Sequence, residues 1–403
     1  MMDCPLTLRS LYERARTLFP DKQLVSRRAS GEVVRTTYAD WAERVARLAA
    51  ALRSLGLEAG DRVGTFCWNH DRHLEVYFAA ALSGGSYHTL NIRLGPDQIA
   101  YILNHAGDKV LVVDADLAPA LAPALRDATT VEHVVVLSDG EPPSLPFDAG
   151  RVHDYEALVA RAAPMTGDAW PDLDEWQTAG ICYTSATTGN PKGVAYSHRA
   201  LFLHSLMIGL VDTAAISERD VVMPIVPMFH VNAWGLPFAA TWFGAAQVFG
   251  GPRPTPSDYV KLIREEGVTA SAGVPTVWLG VLQMLEQDGG DLGSLRRIMC
   301  GGSAAPVSMI RAYEQRYGVE FVHAYGMTEA SPVTHFSRLK GSLADLPEAA
   351  RYSYKAKQGL LVPGLEQRIV DADGNPVPAD GKSMGEVLLR GPWIGRASCR
   401  ERV

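Results

Sequence analysis

The chain is poor in cysteine, has no long basic run and lacks an uninterrupted apolar stretch, and each shortage removes a class of protein. Cys4, Cys67, Cys182, Cys300 and Cys399 are the five cysteines among 403 residues. No two form a CxxC pair, so the sequence indicates neither a zinc site nor a disulfide framework, and reduced thiols are expected. Lysine and arginine number 38 against 45 acidic residues, a net charge of −7, which argues against a nucleic-acid partner. The opening MMDCPLTLRSLYERARTLFP has no apolar core of the length a secretory leader needs. The stretch 221–252 has no Asp, Glu, Lys or Arg, but Pro224, Pro227, Asn232, Pro237 and Gln247 interrupt it. A spanning helix needs about 20 mainly apolar residues. The stretch therefore reads as buried strand, turn and core helix, no integral membrane segment is expected, and the expected location is cytoplasmic.

What is present is an alternation of strands and helices. After Thr37, the residues Trp41, Val45, Leu48, Ala49, Leu52 and Leu55 share one helical face, and Gly56 is a natural stop. Short apolar strands follow at 62–68, 109–114 and 131–137, with a helix near 97–105. This order predicts an α/β fold, with a parallel sheet flanked by helices. Residues 138–175, rich in Pro, Asp and Gly, read as an irregular surface connection. Five further strands, 179–183, 221–226, 268–273, 296–300 and 319–324, each run into a loop of Gly, Ser, Thr, His or Tyr. Ligands of open α/β sheets bind beyond the carboxyl ends of strands, so these loops are expected to converge on one cleft. Single loops of this kind also serve simply as turns and caps. After about 359 the helical pattern stops and an Asp373-Gly374 turn signal appears, which predicts a small antiparallel unit.

The most informative segment is YTSATTGNPKGV at 183–194. Hydroxyls at Thr184, Ser185, Thr187 and Thr188, the flexible Gly189 and Gly193, and the ammonium of Lys192 together suit a polyphosphate. Asn190-Pro191 separates Gly189 from Lys192, so this is not the Walker loop. A second segment, YGMTE at 325–329, offers an aromatic face, a hydroxyl and a hard carboxylate in order. By itself Glu329 could equally be a carboxylate at a helix N-terminus. GGSAAP at 301–306 follows a buried strand, and a tight turn with Pro306 at a helix start is compatible with it. PMFHVNAW at 227–234 carries His230 and Trp234.

These segments, in this order, resemble the adenylate-forming family of acyl-CoA synthetases, luciferases and peptide-synthetase adenylation domains, over about 10–394. Ala186 stands where the common pattern has Gly, a mild change that matters only if the backbone there needs positive φ. The resemblance implies the family's large N-terminal domain: mostly parallel sheets flanked by helices, plus a small antiparallel β subdomain. It implies a first α/β subdomain over 1–175, a second over 176–355 carrying the nucleotide and acyl site, and an antiparallel unit over 356–394. ATP, Mg²⁺ and coenzyme A are the implied cofactors and co-substrates. Thr184, Lys192 and Glu329 are the implied catalytic residues, with Thr184 and Glu329 on the metal. Nucleotide contacts are implied for Thr184, Ser185, Thr187, Thr188, Gly189, Lys192, Gly302, Ser303, Ala304, His323, Ala324, Tyr325, Gly326 and Thr328. His230, Trp234, Gly301, Gly302 and Gly326 are implied to bind the acid, His230 as a binding group and not an acid–base catalyst.

The match ends at LLRGPWI, 388–394. The family's ribose-binding aspartate, hinge and small C-terminal domain with its catalytic lysine lie beyond that point, so a truncated large domain is expected, with 395–403 a non-native or truncation tail. The implied reaction activates a carboxylic acid as its adenylate and passes it to coenzyme A. The segments around 224–238 and 325–334 look most like those of bacterial medium- and long-chain fatty-acid ligases and 3-methylthiopropionate ligases. An aryl-acid ligase, or a catalytically incomplete nucleotide-binding fragment, are the alternatives. The sequence leaves the oligomeric state open, a homodimer included.

Overall fold

The computed structural model describes residues 2, 4–140, 143–184 and 190–397. Among these, two large sheets and one small one organise the chain. The first large sheet runs, edge to edge, Arg396–Ala397, Gly193–Ser197, Thr178–Tyr183, Ser86–Thr89, Arg62–Phe66, Asp108–Asp114, His133–Leu137 and Val152–Asp154. The second runs Leu360–Leu361, Val333–Phe336, Glu320–Gly326, Arg297–Cys300, Ala270–Gly273, Val221–Pro224, Ala246–Phe249, Gln23–Arg27 and Val33–Thr37. The inner strands are parallel, and antiparallel pairs are added at the edges. Sheet membership crosses residue 175 in both directions: Thr178–Tyr183 and Gly193–Ser197 join the N-terminal half's sheet, while Gln23–Arg27 joins the other.

The helices fill the space between and outside the sheets. Helix Tyr38–Ser54 starts at a capping box in which the Thr37 hydroxyl accepts from Asp40 N–H and the Asp40 carboxylate accepts from Thr37 N–H. Its Trp41, Val45, Leu48, Ala49 and Leu52 are buried, as the periodicity predicts. One core unites this helix with Leu8–Leu18, Asp71–Leu82, His198–Ile208 and Leu236–Phe243 and with inward residues of both sheets. A second core lies under Pro256–Glu265, Pro275–Asp288 and Val307–Tyr317 on the outside of one sheet. A third lies under Pro96–Ala106 and Ala118–Leu125 on the outside of the other. The helix Asp71–Leu82 is buried on every side. Its charges are matched: Asp71 by Arg28 at 2.6 Å, Arg72 by Asp139 at 2.8 Å and Glu75 by Arg44 at 2.7 Å.

Two expectations change. The connection 138–175 is not wholly irregular, since Val152–Asp154 extends the first sheet and helix Tyr155–Arg161 follows it. Its composition hid a three-residue edge strand anchored by Val152 against the third core and by the buried Tyr155 and Val159 of the following helix. The five polar loops leave strands of both large sheets. The loop after Tyr183 closes an antiparallel pair in the first sheet, and the loop after Gly326 closes one in the second. The stretch 221–252 is the expected strand, turn and core helix. Beyond 359, Glu366–Val370 and Glu386–Arg390 pair as the expected antiparallel unit, Leu360–Leu361 joins the second sheet, and Arg396–Ala397 pairs with Ala195 and Val194. No described helix is long and apolar enough to cross a membrane.

Candidate active site

The strand Glu320–Gly326 leads out of the second core and loses its burial at Tyr325 and Gly326. A bulge there turns the chain into Thr328–Ala330, so Thr328 and Glu329 sit half-buried on a short loop before Val333–Phe336 returns. The neighbouring strand Arg297–Cys300 delivers Gly301 and Gly302 alongside. A Cβ on Gly301 would lie 2.5 Å from the Ala324 carbonyl oxygen, so only glycine lets these two strand ends approach as they do.

Opposite them stands the segment 227–235. Val231, Asn232, Ala233 and Trp234 all have φ between 46° and 59°, one turn of left-handed backbone, and Gly235 closes it at φ 76°. The neighbours brace this turn. Asn69 donates to the carbonyls of Pro224 and Val226 at 2.9 and 2.8 Å and accepts from Met228 N–H at 2.6 Å. Tyr77 donates to the Met228 carbonyl and Thr89 to the Phe229 carbonyl. The Asn232 side chain accepts from the Cys182 thiol at 3.5 Å beneath the turn. The result presents His230 and Trp234 to the strand ends.

One cavity of about 200 Å³ lies between, lined by His230, Val231, Trp234, Gly301, Gly302, Ala324, Tyr325, Gly326, Met327, Thr328, Pro332 and Val333. Eight of the residues singled out in the sequence for nucleotide or acid thus meet on one space. Although His230 reaches the surface, desolvation by its cleft neighbours, and then the charge of Arg93, lower its imidazole pKa below the ordinary value. A second cavity of about 350 Å³, lined by residues that include Trp68, Arg93, Phe229, Tyr259 and Val274, meets the first at His230.

Other residues fall elsewhere. His323 is buried behind the loop, its ring nitrogens facing the Ser303 and Lys357 carbonyls at 3.2 and 3.0 Å, so it braces the 301–303 turn. Ser303 and Ala304 are exposed and outside the lining. Thr184 and Lys192 close the neck of their loop, Thr184 N–H donating to the Lys192 carbonyl at 2.9 Å. Ser185, Thr187, Thr188 and Gly189 lie outside the described residues.

Asn69, Tyr77 and Thr89 were not singled out in the sequence. Each is a polar residue among apolar neighbours, and only the tertiary contact with 224–229 gives it a role. Cys67, His70 and Asp114 also cluster, with ligand-type atoms all within 4.8 Å of one another. His70 Nδ1 accepts from the His73 N–H at 2.9 Å, so Nε2 carries the proton and donates it to Asp114 at 3.0 Å. A metal on Nε2 would require that proton to sit on Nδ1, facing an N–H. The cluster is therefore a latch that ties a helix start to a strand end.

The profile of the AMP-binding enzyme family matches residues 12–397. A long-chain-fatty-acid–CoA ligase of Thermus thermophilus is 50% identical over 394 residues, 98% of this chain and 70% of its own. A 3-methylmercaptopropionyl-CoA ligase of Ruegeria lacuscaerulensis is 42% identical over 398 residues, 98% of this chain and 72% of its own. Among solved structures, an anthranilate CoA ligase in complex with anthranoyl-AMP shares the fold at a TM-score of 0.84 and 22% identity, over 98% of this chain and 71% of its own.

Proposed function

We propose, for a chain that belongs to the AMP-binding enzyme family and acts as an acid–CoA ligase, that its acid is a medium- to long-chain fatty acid. The carrying observation is the shared cavity, where Tyr325, Gly326 and Thr328 face His230, Trp234, Gly301 and Gly302. A carboxylate is ionised at pH 7 and needs no base to become a nucleophile. Its oxygen attacks the α-phosphorus of ATP, the bond to the β-phosphate breaks, and pyrophosphate leaves. The thiolate of coenzyme A then attacks the acyl carbon and AMP departs.

The protein's part is positioning and charge. Tyr325 offers a ring face to adenine, and the Thr328 hydroxyl reaches the α-phosphate. Lys192 neutralises the departing phosphates. His230 stands where the cavities meet and orients the carboxyl end. Trp234, Val231, Pro332 and Val333 wall the acyl chain, each buried methylene being worth about 0.8 kcal/mol. The donor chemistry suits Mg²⁺: Glu329 supplies a half-buried carboxylate and Thr184 a hydroxyl, both hard oxygen donors. Bound there, the ion would supply neutralisation of phosphate charge.

The 42% identity to the ligase from Ruegeria supports 3-methylthiopropionate as the second reading. ATP–pyrophosphate exchange followed by thiol consumption, run with octanoate, palmitate, 3-methylthiopropionate and benzoate, tests both. The fatty acids should show the highest kcat/KM. A preference for 3-methylthiopropionate or benzoate would replace the acid assignment, and absence of exchange with every acid would overturn the nucleotide-site reading.

A further inference from the structure

We propose that Tyr196 is a positioning residue of the nucleotide site, its hydroxyl tying the Thr328–Glu329 loop to the strand that follows Lys192. The inference rests on the reading of Thr328 and Glu329 given above and adds the residue that holds them. The strand Gly193–Ser197 begins one residue after Lys192, and Tyr196 lies within it, paired with Gly180 of the neighbouring strand. Its side chain is fully buried. The hydroxyl donates to the Thr328 carbonyl at 2.7 Å. This bond joins the first sheet to the second, from the strand that follows the lysine to the loop that carries the carboxylate. Burial pushes the hydroxyl pKa well up, so it remains a donor at any working pH.

The rest of the loop is held from elsewhere. The Gly395 N–H donates to the Glu329 carbonyl at 2.5 Å, Ser331 Oγ to the Trp393 carbonyl at 2.7 Å, and the Val333 N–H to His204 Nε2 at 3.2 Å. Those contacts set the loop against the C-terminal segment and the helix His198–Ile208. Among the described hydrogen bonds, the Tyr196 hydroxyl is what ties Thr328 to the first sheet. In-line transfer at phosphorus requires the lysine, hydroxyl and carboxylate at one spacing, and misplacement by about 1 Å is costly.

The test is Tyr196→Phe in the full chain, which removes one oxygen and keeps the ring. Pyrophosphate exchange is measured against Mg²⁺ and ATP, beside the acid chain-length profile and the melting temperature. Expected is a rise of about three- to ten-fold in half-saturating Mg²⁺ and in KM for ATP, as for one lost hydrogen bond, with the chain-length profile unmoved. Tyr196→Leu should give the same shift with a larger loss of melting temperature. Should Leu shift the metal dependence and Phe not, the ring's packing is responsible and the proposal falls. Glu329→Gln separates this from the parent reading. Unchanged metal dependence in that variant overturns the site assignment and this inference with it. A shift there, with none in Tyr196→Phe, overturns this inference alone.

Discussion

Gly301 and Gly302 are adjacent and identical in sequence, yet they tolerate different changes. A Cβ on Gly301 meets backbone at 2.5 Å, whereas one on Gly302 meets only Val274 Cγ1 at 3.4 Å and Trp234 Cζ2 at 3.8 Å. Gly302 does sit at φ 79°, where a side chain costs about 1–2 kcal/mol. Gly302→Val should therefore fold with reduced stability and narrow the acyl space beside Trp234. A chain-length series from propionate to palmitate should show its optimum moving to shorter acids, with KM for ATP little changed. An optimum that stays in place would reject the acyl assignment. Gly301→Ala should instead lose activity toward every acid, because the strand end itself must move. Lys192→Ala should lower exchange by about 10²–10³-fold with melting unchanged, since a charge stabilising the leaving group is gone. Wild-type exchange at limiting ATP would contradict that role.

At the level of elements, the turn 231–234 is the most costly piece of backbone in the cleft. Asn tolerates the left-handed region, but Val231, Ala233 and Trp234 each cost about 1–2 kcal/mol there. The turn persists because the surroundings leave it no alternative: His204 lies against Gly235, and Asn69 grips the strand end before it. Asn69→Ala would orphan two carbonyls and one N–H in the interior. It should cost about 1–3 kcal/mol by denaturant unfolding and raise KM for the acid, as the turn loses its brace. A stable variant with wild-type KM would show that the turn stands without Asn69.

For the whole molecule, acid sensitivity follows from histidines buried without charge. Burial pushes His73 and His204 down to about 3 and His198 to about 4. In the unfolded chain each titrates near 6.5. Between those limits the unfolded state binds more protons than the folded one, so stability is fully present above pH 6.5 and falls as the pH drops below it. Asp71 adds a later step. Burial would raise its carboxyl, but the Arg28 guanidinium outweighs burial and holds it at about 2, so its contribution is lost as the pH falls from about 4 toward 2. Melting temperature should thus decline from about pH 6.5 downward, before carboxylates titrate. His204→Gln should flatten that decline, and an equal slope in the variant would show that His204 is not among the groups responsible.

The order of hydroxyls, glycines and lysine at 183–194, the YGMTE segment and the alternation of strands with helices are local properties of the chain. They determined the fold class and pointed to the chemistry proposed for the site, because turn residues, polar donors and apolar periodicity act through near neighbours. What the tertiary structure alone decided is how these pieces face one another. Tyr183 and Gly326 end strands of different sheets, His323 turns its ring away from the cavity, and a left-handed turn aims Trp234 at Gly301. Asn69 lies more than 150 residues from the strand it braces, and Tyr196 lies 132 from the carbonyl it holds. A side chain buried in such a contact has the composition of ordinary core. Its role exists only once long-range packing has chosen its partner.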